Sequence, residues 1–190
     1  MKQRLLIIAT LLLFIGGMKA QTTYAPEKFG NTLNVGVGIG YYGYLSRPMP
    51  MGFLNYEFDL FRNFTLAPFI GFYSYQSHYY WGDFDHPYRD YSYRETVIPL
   101  GVKGSYYFDE LFNASSKWDF YAALSLGFQY RNVVWESGYD GSKTAYSSSS
   151  SPLYANLHAG AEYHMSNKAG IFLDLSTSVS TIGLAFHFNK

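Results

Sequence analysis

The chain repeats one pattern eight times. In NVGVGIGYYG, residues 34–43, Val35, Val37, Ile39 and Tyr41 fall on one side; Asn34, Gly36, Gly38, Gly40 and Tyr42 fall on the other. A period of two is the signature of a strand. Three glycines on one face weaken an ordinary strand, because they cost backbone entropy and pack nothing. The surroundings must make a face of hydrogens useful and a face of branched apolar chains obligatory.

Seven further segments alternate in the same way: MGFLNYEFDL, FTLAPFIGFYS, TVIPLGVKGSYYF, FYAALSLGFQYR, LYANLHAGAEYHM, GIFLDLST and TIGLAFHFN. In each, one face is almost free of charge. The other faces share Glu57, Lys103, Arg131, Glu162, Asp174 and His187. Most segments reach the ~9–11 residues that a tilted membrane strand needs. The last two are shorter, with STSVST between them. Connectors alternate too. Segments 2 and 3 join tightly at Arg62-Asn63, and segments 6 and 7 at SNKAG. QSHYYWGDFDHPYRDYSYRE separates segments 3 and 4, and VWESGYDGSKTAYSSSSS separates 5 and 6. Short turns at one rim and long loops at the other describe an outer-membrane barrel. DELFNASSKWD, between 4 and 5, is longer than that rule asks.

The N-terminus has its own character. Lys2 and Arg4 precede an apolar stretch from Leu5 to Ile15, followed by Gly16-Gly17 and Ala20. This reads as a secretory signal peptide over residues 1–20, with a barrel domain over 21–190. The apolar stretch is about half the ~20 residues a spanning helix requires. The sequence holds no cysteine, which closes the routes to a lipid-anchored lipoprotein and to a disulfide scaffold. Removing Lys2, Arg4 and Lys19 from the 14 basic residues leaves 11 against 14 acidic ones, a net −3 without a basic run. Nucleic acid is therefore not an expected partner.

An eight-stranded antiparallel up-and-down transmembrane β-barrel resolves the glycine question. In hydrocarbon every backbone N–H and C=O needs a protein partner, and a sheet provides that only by closing on itself. The outer face is then apolar, while the inner face surrounds an axis barely wide enough for side chains. Some inward positions must be small so that others can be large. Aromatic residues make up 21% of the chain, and Tyr56, Phe72, Tyr106, Phe108, Phe128, Tyr130 and Tyr163 sit where interface girdles belong. The competing fold is a soluble lipocalin-like barrel, with the apolar face inside and the charged face in water.

Over roughly residues 30–190 the chain resembles the small OmpA/OmpX-type outer-membrane barrels. The resemblance rests on the eight segments, on IPLGVKGSYYF and on the C-terminal GLAFHF. It implies that Phe186 and Phe188 carry the signal read by the barrel-assembly machinery, although Asn189-Lys190 follow where many members end. It also implies an acid–base gate in the lumen, for which Glu57, Lys103, Arg131 and Glu162 have the matching residue types. Pairs Glu57–Lys103, and Glu162 with Lys103 or Arg131, would make a closed network, since a lone charge in a narrow dry lumen is costly. Structural ion pairing is the plainer role, a gated path for ions or small solutes the sharper one.

His158, His164 and His187 share the inward face. His158 and His164 lie six residues apart, about 20 Å along a strand, while His164 and His187 could meet across the lumen with Glu57 or Asp59. Polar filling is expected there rather than a metal site. Some eight-stranded barrels deacylate or acylate lipid A, but an exposed serine activated by histidine and an acid at the outer rim is not evident. No catalytic residue, metal or cofactor is expected.

The run 75–94 should continue strands 3 and 4 beyond the membrane as a protruding hairpin. Tyr79, Tyr80, Trp81, Phe84, Tyr88 and Arg89 make it the candidate binding loop, since exposed aromatics beside charges suit a glycan, peptide or protein. The serines Ser147–Ser151 read as a flexible loop tip. The expected function is a structural or surface-interaction protein of the bacterial outer membrane with a filled lumen. It would contact outer-membrane lipid and lipopolysaccharide, and possess an extracellular ligand or protein partner. A small porin for ions or solutes is the alternative, and a lipid-modifying enzyme comes third.

Overall fold

The computed structural model describes residues 31–40, 49–61, 63–108, 117–141 and 153–188. The signal segment 1–20, Tyr41 and Tyr42, the serines 147–151 and Asn189-Lys190 lie outside these residues. The described chain forms β1 (Asn31–Gly40), β2 (Met49–Phe61), β3 (Phe64–Trp81), β4 (Arg89–Tyr107), β5 (Trp118–Trp135), β6 (Leu153–Ser166), β7 (Ala169–Ser176) and β8 (Val179–Phe188). Each strand pairs antiparallel with the next, and β1 pairs with β8 from Asn31↔Phe188 to Gly40↔Val179, closing the barrel.

The orientation of the faces decides what kind of barrel this is. Val35, Leu54, Ile70, Leu100, Leu124, Leu157, Leu173 and Leu184, one from each strand, all point outward and are exposed. Glu57, Lys103, Glu162, Asp174 and His187 are buried inside. A soluble barrel would have the reverse arrangement, so an exposed apolar belt around a charged interior identifies a membrane-spanning barrel. Rings gather where the belt meets the rim that holds both described chain ends. Tyr56 packs on Phe188 with centroids 6.1 Å apart, Tyr106 on Phe108 at 5.4 Å, and Trp118 on Tyr163 at 5.0 Å. Phe72, Phe128 and Tyr130 are exposed toward the other rim. The β2–β3 and β6–β7 turns on this rim are short, and by the turn rule it is the periplasmic one.

The inward glycines occupy defined places. Gly36 pairs with Gly183 across the β1/β8 seam, and Gly101 pairs with Gly127 between β4 and β5. The Phe172 ring fills the space beside the first pair. Further along the lumen, Phe53 stacks on Phe69 at 6.0 Å and Phe69 packs on Tyr154 at 5.5 Å. Small walls thus let rings lie across a narrow axis.

Three strands outgrow the barrel. β3, β4 and β5 have 18, 19 and 18 residues, against 10 in β1 and 8 in β7. The β2 pairing stops at Gly52↔Phe72 and the β6 pairing at Phe128↔Leu153, whereas β3 and β4 stay paired to Trp81↔Arg89. From Phe72 to Trp81 the extension spans about 30 Å at the usual rise per strand residue. Its outward face turns polar along one row, Ser74↔Thr96↔Asn132, and Ser74 and Thr96 share a hydrogen bond of 3.2 Å. That row marks where hydrocarbon gives way to water. The hairpin expected over 75–94 is present, but it is a three-stranded sheet. β5 runs on through Trp135, residues that sequence alone assigned to a connector.

Candidate functional site

The lumen is filled in layers. The central layer is one hydrogen-bonded network drawn from seven strands. Lys103 Nζ stands 3.6 Å from Glu57 Oε1 and 3.4 Å from Asp174 Oδ2, with all three residues buried. Glu57 also accepts from Asn34 Nδ2 at 2.8 Å, Thr65 Oγ1 at 3.0 Å and the Tyr107 hydroxyl at 2.7 Å. Asp174 accepts from the Tyr121 hydroxyl at 2.8 Å. The Lys103 ammonium lies 4.9 Å from the centroid of the Tyr121 ring. A lysine shared by two carboxylates satisfies the rule that buried charge is paired and hydrogen-bonded.

This network continues through His158, whose Nδ1 is 2.7 Å from Asp174 Oδ1 and whose Nε2 is 2.8 Å from Ser125 Oγ. Serine, histidine and aspartate here follow the order of an acyl-transfer relay. The setting differs. Ser125 is 1% exposed, and its strand is laddered on both sides, against Lys103 on β4 and Asn156 on β6. Backbone N–H groups committed to ladders are not available to an oxyanion there. Ser125, His158 and Asp174 thus lie inside the lumen wall, bridging β5, β6 and β7.

The four lumen charges singled out from sequence do not form one closed network. Glu57 and Lys103 meet as expected from the pattern, but the second acid on Lys103 is Asp174, not Glu162. Arg131 Nε pairs with Glu95 Oε1 at 2.8 Å, in a separate layer nearer the projecting rim, where the Tyr75 hydroxyl donates to Glu95 Oε2. Register explains this. Arg131 lies opposite Val97, one inward step from Glu95, and the sequence pattern places Glu95 in the connector between strands 3 and 4. Tyr91, Tyr93, Glu95 and Val97 keep the period of two, and that continuation was the signal available. Glu162 sits one inward step closer to the periplasmic rim than Gly160, which is the residue opposite Asp174. There Glu162 meets His187 Nε2 at 2.8 Å and His164 Nδ1 at 3.5 Å. The two histidines do meet, then, with ring centroids 5.2 Å apart, and Glu162 and Asp119 are the acids beside them.

Between the central network and the Arg131–Glu95 pair, Met49, Met51, Tyr73, Val97 and Val179 pack into a buried apolar layer, with Phe53 and Tyr75 against it.

On the projecting sheet the six loop candidates separate into two sets. Trp81 turns inward, packing on Tyr91 at 5.8 Å and Tyr139 at 5.2 Å. Tyr79 meets Trp135 edge-on at 6.1 Å, and Trp135 stacks on Tyr139 at 4.0 Å. Arg89 lies over the Tyr91 ring at 4.3 Å and reaches Glu136 at 3.8 Å. Glu136 in turn accepts from the Ser92 N–H at 2.9 Å and hydroxyl at 3.0 Å, and these bonds hold its carboxyl below the usual range. Tyr80, Phe84 and Tyr88 instead face solvent: Phe84 is fully exposed, Tyr88 66% and Tyr80 64% exposed. At the tip, Asp83 Oδ1 accepts from the backbone N–H groups of Asp85 and His86 and pairs with His86 Nδ1 at 2.8 Å. An internally packed aromatic sheet thus holds three exposed rings above the membrane.

Phe186 and Phe188 point outward from β8 and are exposed beside Tyr56.

No protein-family model matches the chain, and no curated protein matches it in sequence. Solved structures match in fold. The outer membrane protein OprG from Pseudomonas aeruginosa superposes with a TM-score of 0.54 at 9% identity, covering 86% of this chain and 98% of that one. Neisserial surface protein A superposes with a TM-score of 0.50 at 13% identity, covering 85% of this chain and 97% of that one. The lipid-facing belt and this shared fold together make the chain a small eight-stranded barrel of the bacterial outer membrane.

Proposed function

We propose that this protein is a surface-interaction barrel. The membrane wall is its anchor, the lumen is sealed, and the β3–β4–β5 extension presents Tyr80, Phe84 and Tyr88 to an extracellular glycan or protein. The observation that carries this reading is the division of the loop aromatics. Trp81, Tyr91, Trp135 and Tyr139 pack against one another, so Tyr80, Phe84 and Tyr88 are held out on a preordered support. Rings fixed before binding cost little entropy to engage, and exposed aromatics of this kind dominate interface energetics. Arg94 and His78, outward and exposed just above the Ser74–Thr96–Asn132 row, face the layer that lipopolysaccharide headgroups occupy. Phe186 and Phe188, on the final strand, are the residues for the assembly machinery to read.

The test is adhesion. Cells displaying the wild-type protein should bind immobilised glycans or cultured host cells. The triple variant Tyr80→Ser, Phe84→Ser, Tyr88→Ser should fold, shown by heat-modifiable gel migration, and lose that binding. Undiminished binding by the folded triple variant rejects the proposal.

A further inference from the structure

Glu162, His164 and His187 each bring one ligand atom to a common point at the periplasmic end of the lumen. His187 Nε2 is 2.8 Å and His164 Nδ1 3.5 Å from Glu162 Oε1, and all three atoms lie within 4.8 Å of one another. Each residue is 6% exposed. Around tetrahedral zinc, bond lengths of ~2.0–2.2 Å put neighbouring ligand atoms about 3.4 Å apart. The Glu162–His164 distance already matches that spacing, and the Glu162–His187 distance falls about 0.6 Å short of it.

The fold builds this convergence deliberately across an intervening strand. Glu162 and His164 lie on β6, two residues apart, so both point inward. His187 lies on β8, beyond β7. The β7 residue between them is Gly170, opposite His164 on one side and Ala185 on the other. A Cβ on Gly170 would land on the Glu162 carboxylate. Only the missing side chain lets ligands from β6 and β8 meet over β7.

The second nitrogen of each histidine is also held. His164 Nε2 is 2.6 Å from Asp119 Oδ2, and His187 Nδ1 is 2.9 Å from Thr32 Oγ1. A histidine that donates its far N–H to a carboxylate or hydroxyl presents a lone pair on the other nitrogen, in a fixed ring plane. Both histidines hold their far nitrogen within hydrogen-bond distance of such a partner and turn the near nitrogen toward the cluster.

From this geometry we infer a binding site for a zinc-type divalent cation, ligated by His164 Nδ1, His187 Nε2 and Glu162 Oε1. Two imidazoles and one carboxylate suit zinc and its neighbours in the transition series. Calcium and magnesium want oxygen ligands and are not the fit. Three protein ligands leave one position for water or a small anion. The ion would tie β6 to β8 and, through Asp119 and Thr32, brace β5 and β1. Those contacts flank the β8/β1 seam where the barrel closes, so the site is a clasp on the periplasmic rim.

The experiment uses the full protein extracted from membranes into detergent and stripped of metal. Isothermal titration with zinc chloride should show one ion per barrel. Cobalt(II) should give the intense visible absorption of a four-coordinate site, a readout that requires no variant. Asp119→Asn should weaken zinc binding about 10- to 100-fold, and His187→Ala and Glu162→Gln should weaken it further. Gly170→Ala should weaken it by displacing the carboxylate, while His158→Ala, in the central network, should leave it unchanged. Folding of each variant is read by gel migration, and zinc should raise the temperature of the heat-induced shift only where the ligands are intact. Absence of stoichiometric uptake by the folded wild type overturns the inference. So does wild-type affinity in folded His187→Ala and Glu162→Gln, or a cobalt spectrum of the six-coordinate aqueous kind.

Discussion

The ring of Phe172 occupies the space that a side chain on Gly36 would need: a Cβ there would stand 2.9 Å from Phe172 Cζ and 2.8 Å from the Ile182 carbonyl oxygen. The ring can tilt, but the carbonyl belongs to the β1/β8 ladder that closes the barrel. Gly36→Val should therefore cost about 1–3 kcal/mol, as overpacking does, and deplete the fast-migrating folded form on unheated gels. Gly52→Ala is the control, because nothing lies within 4 Å of its added carbon. Equal refolding of the two variants would remove the packing role assigned to the glycine face.

Lys103 neutralises two acids at once. Lys103→Met would leave Glu57 and Asp174 buried and facing each other, and breaking a buried pair in this way costs roughly 3–5 kcal/mol. Urea unfolding in micelles should show that loss. Adding Glu57→Gln and Asp174→Asn to Lys103→Met should recover most of it, since the remaining groups are neutral and can still hydrogen-bond. A triple variant no more stable than the single one would mean that the lysine acts through packing.

The fold was legible because a lipid-facing barrel writes its period of two on every strand: Val35, Leu54 and Leu124 had to be apolar, and Glu57 and Lys103 had to turn inward. Strand ends were less legible above the membrane. There the outward residues, Ser74, Gln76, Arg94 and Asn132, become polar, so β3, β4 and β5 lose the contrast between faces and look like loops. Glu95 was hidden for that reason, and with it the partner of Arg131. The meeting of Glu162 with His164 and His187 depends on the stagger of strands around the barrel and on Gly170 between them. Neither is written in local spacing, although a glycine opposite a histidine was the available trace.

The loop tip should respond to pH in a defined window. His86 donates to Asp83, and that bond, before the coulombic pull of Asp83, Asp140 and Asp85, raises the histidine above 6.5. The same bond lowers Asp83 below 3.8. The histidine contribution is fully present below its unfolded-state pKa and disappears as pH rises through the raised folded-state value. The aspartate contribution is present above 3.8 and disappears as pH falls through the lowered value. Residues 82–88 should thus be best ordered between those limits and become more open to protease as the pH rises through the raised His86 value. NMR titration should place the His86 midpoint above 6.5 in the wild type and return it toward 6.5 in Asp83→Asn. An unchanged midpoint in that variant would show that the pair does not form in solution.

The apolar layer of Met49, Met51, Tyr73, Val97 and Val179 predicts that the lumen does not conduct. An ion entering from outside meets the Arg131–Glu95 pair first, then side chains that offer no hydration, then the Glu57–Lys103–Asp174 network. Stripping water from an ion without replacing it costs many kcal/mol, so charged residues on either side of the layer do not make a path. The wild-type protein in planar bilayers should show no steady openings. Lys103→Ala alone should stay silent, because the layer above it is intact. Met51→Ala combined with Tyr73→Ala should admit water and produce openings, whose ion preference then depends on Glu57 and Asp174. Steady wild-type openings that change in Lys103→Ala would reverse the assignment, making the central network a gate and the protein a channel.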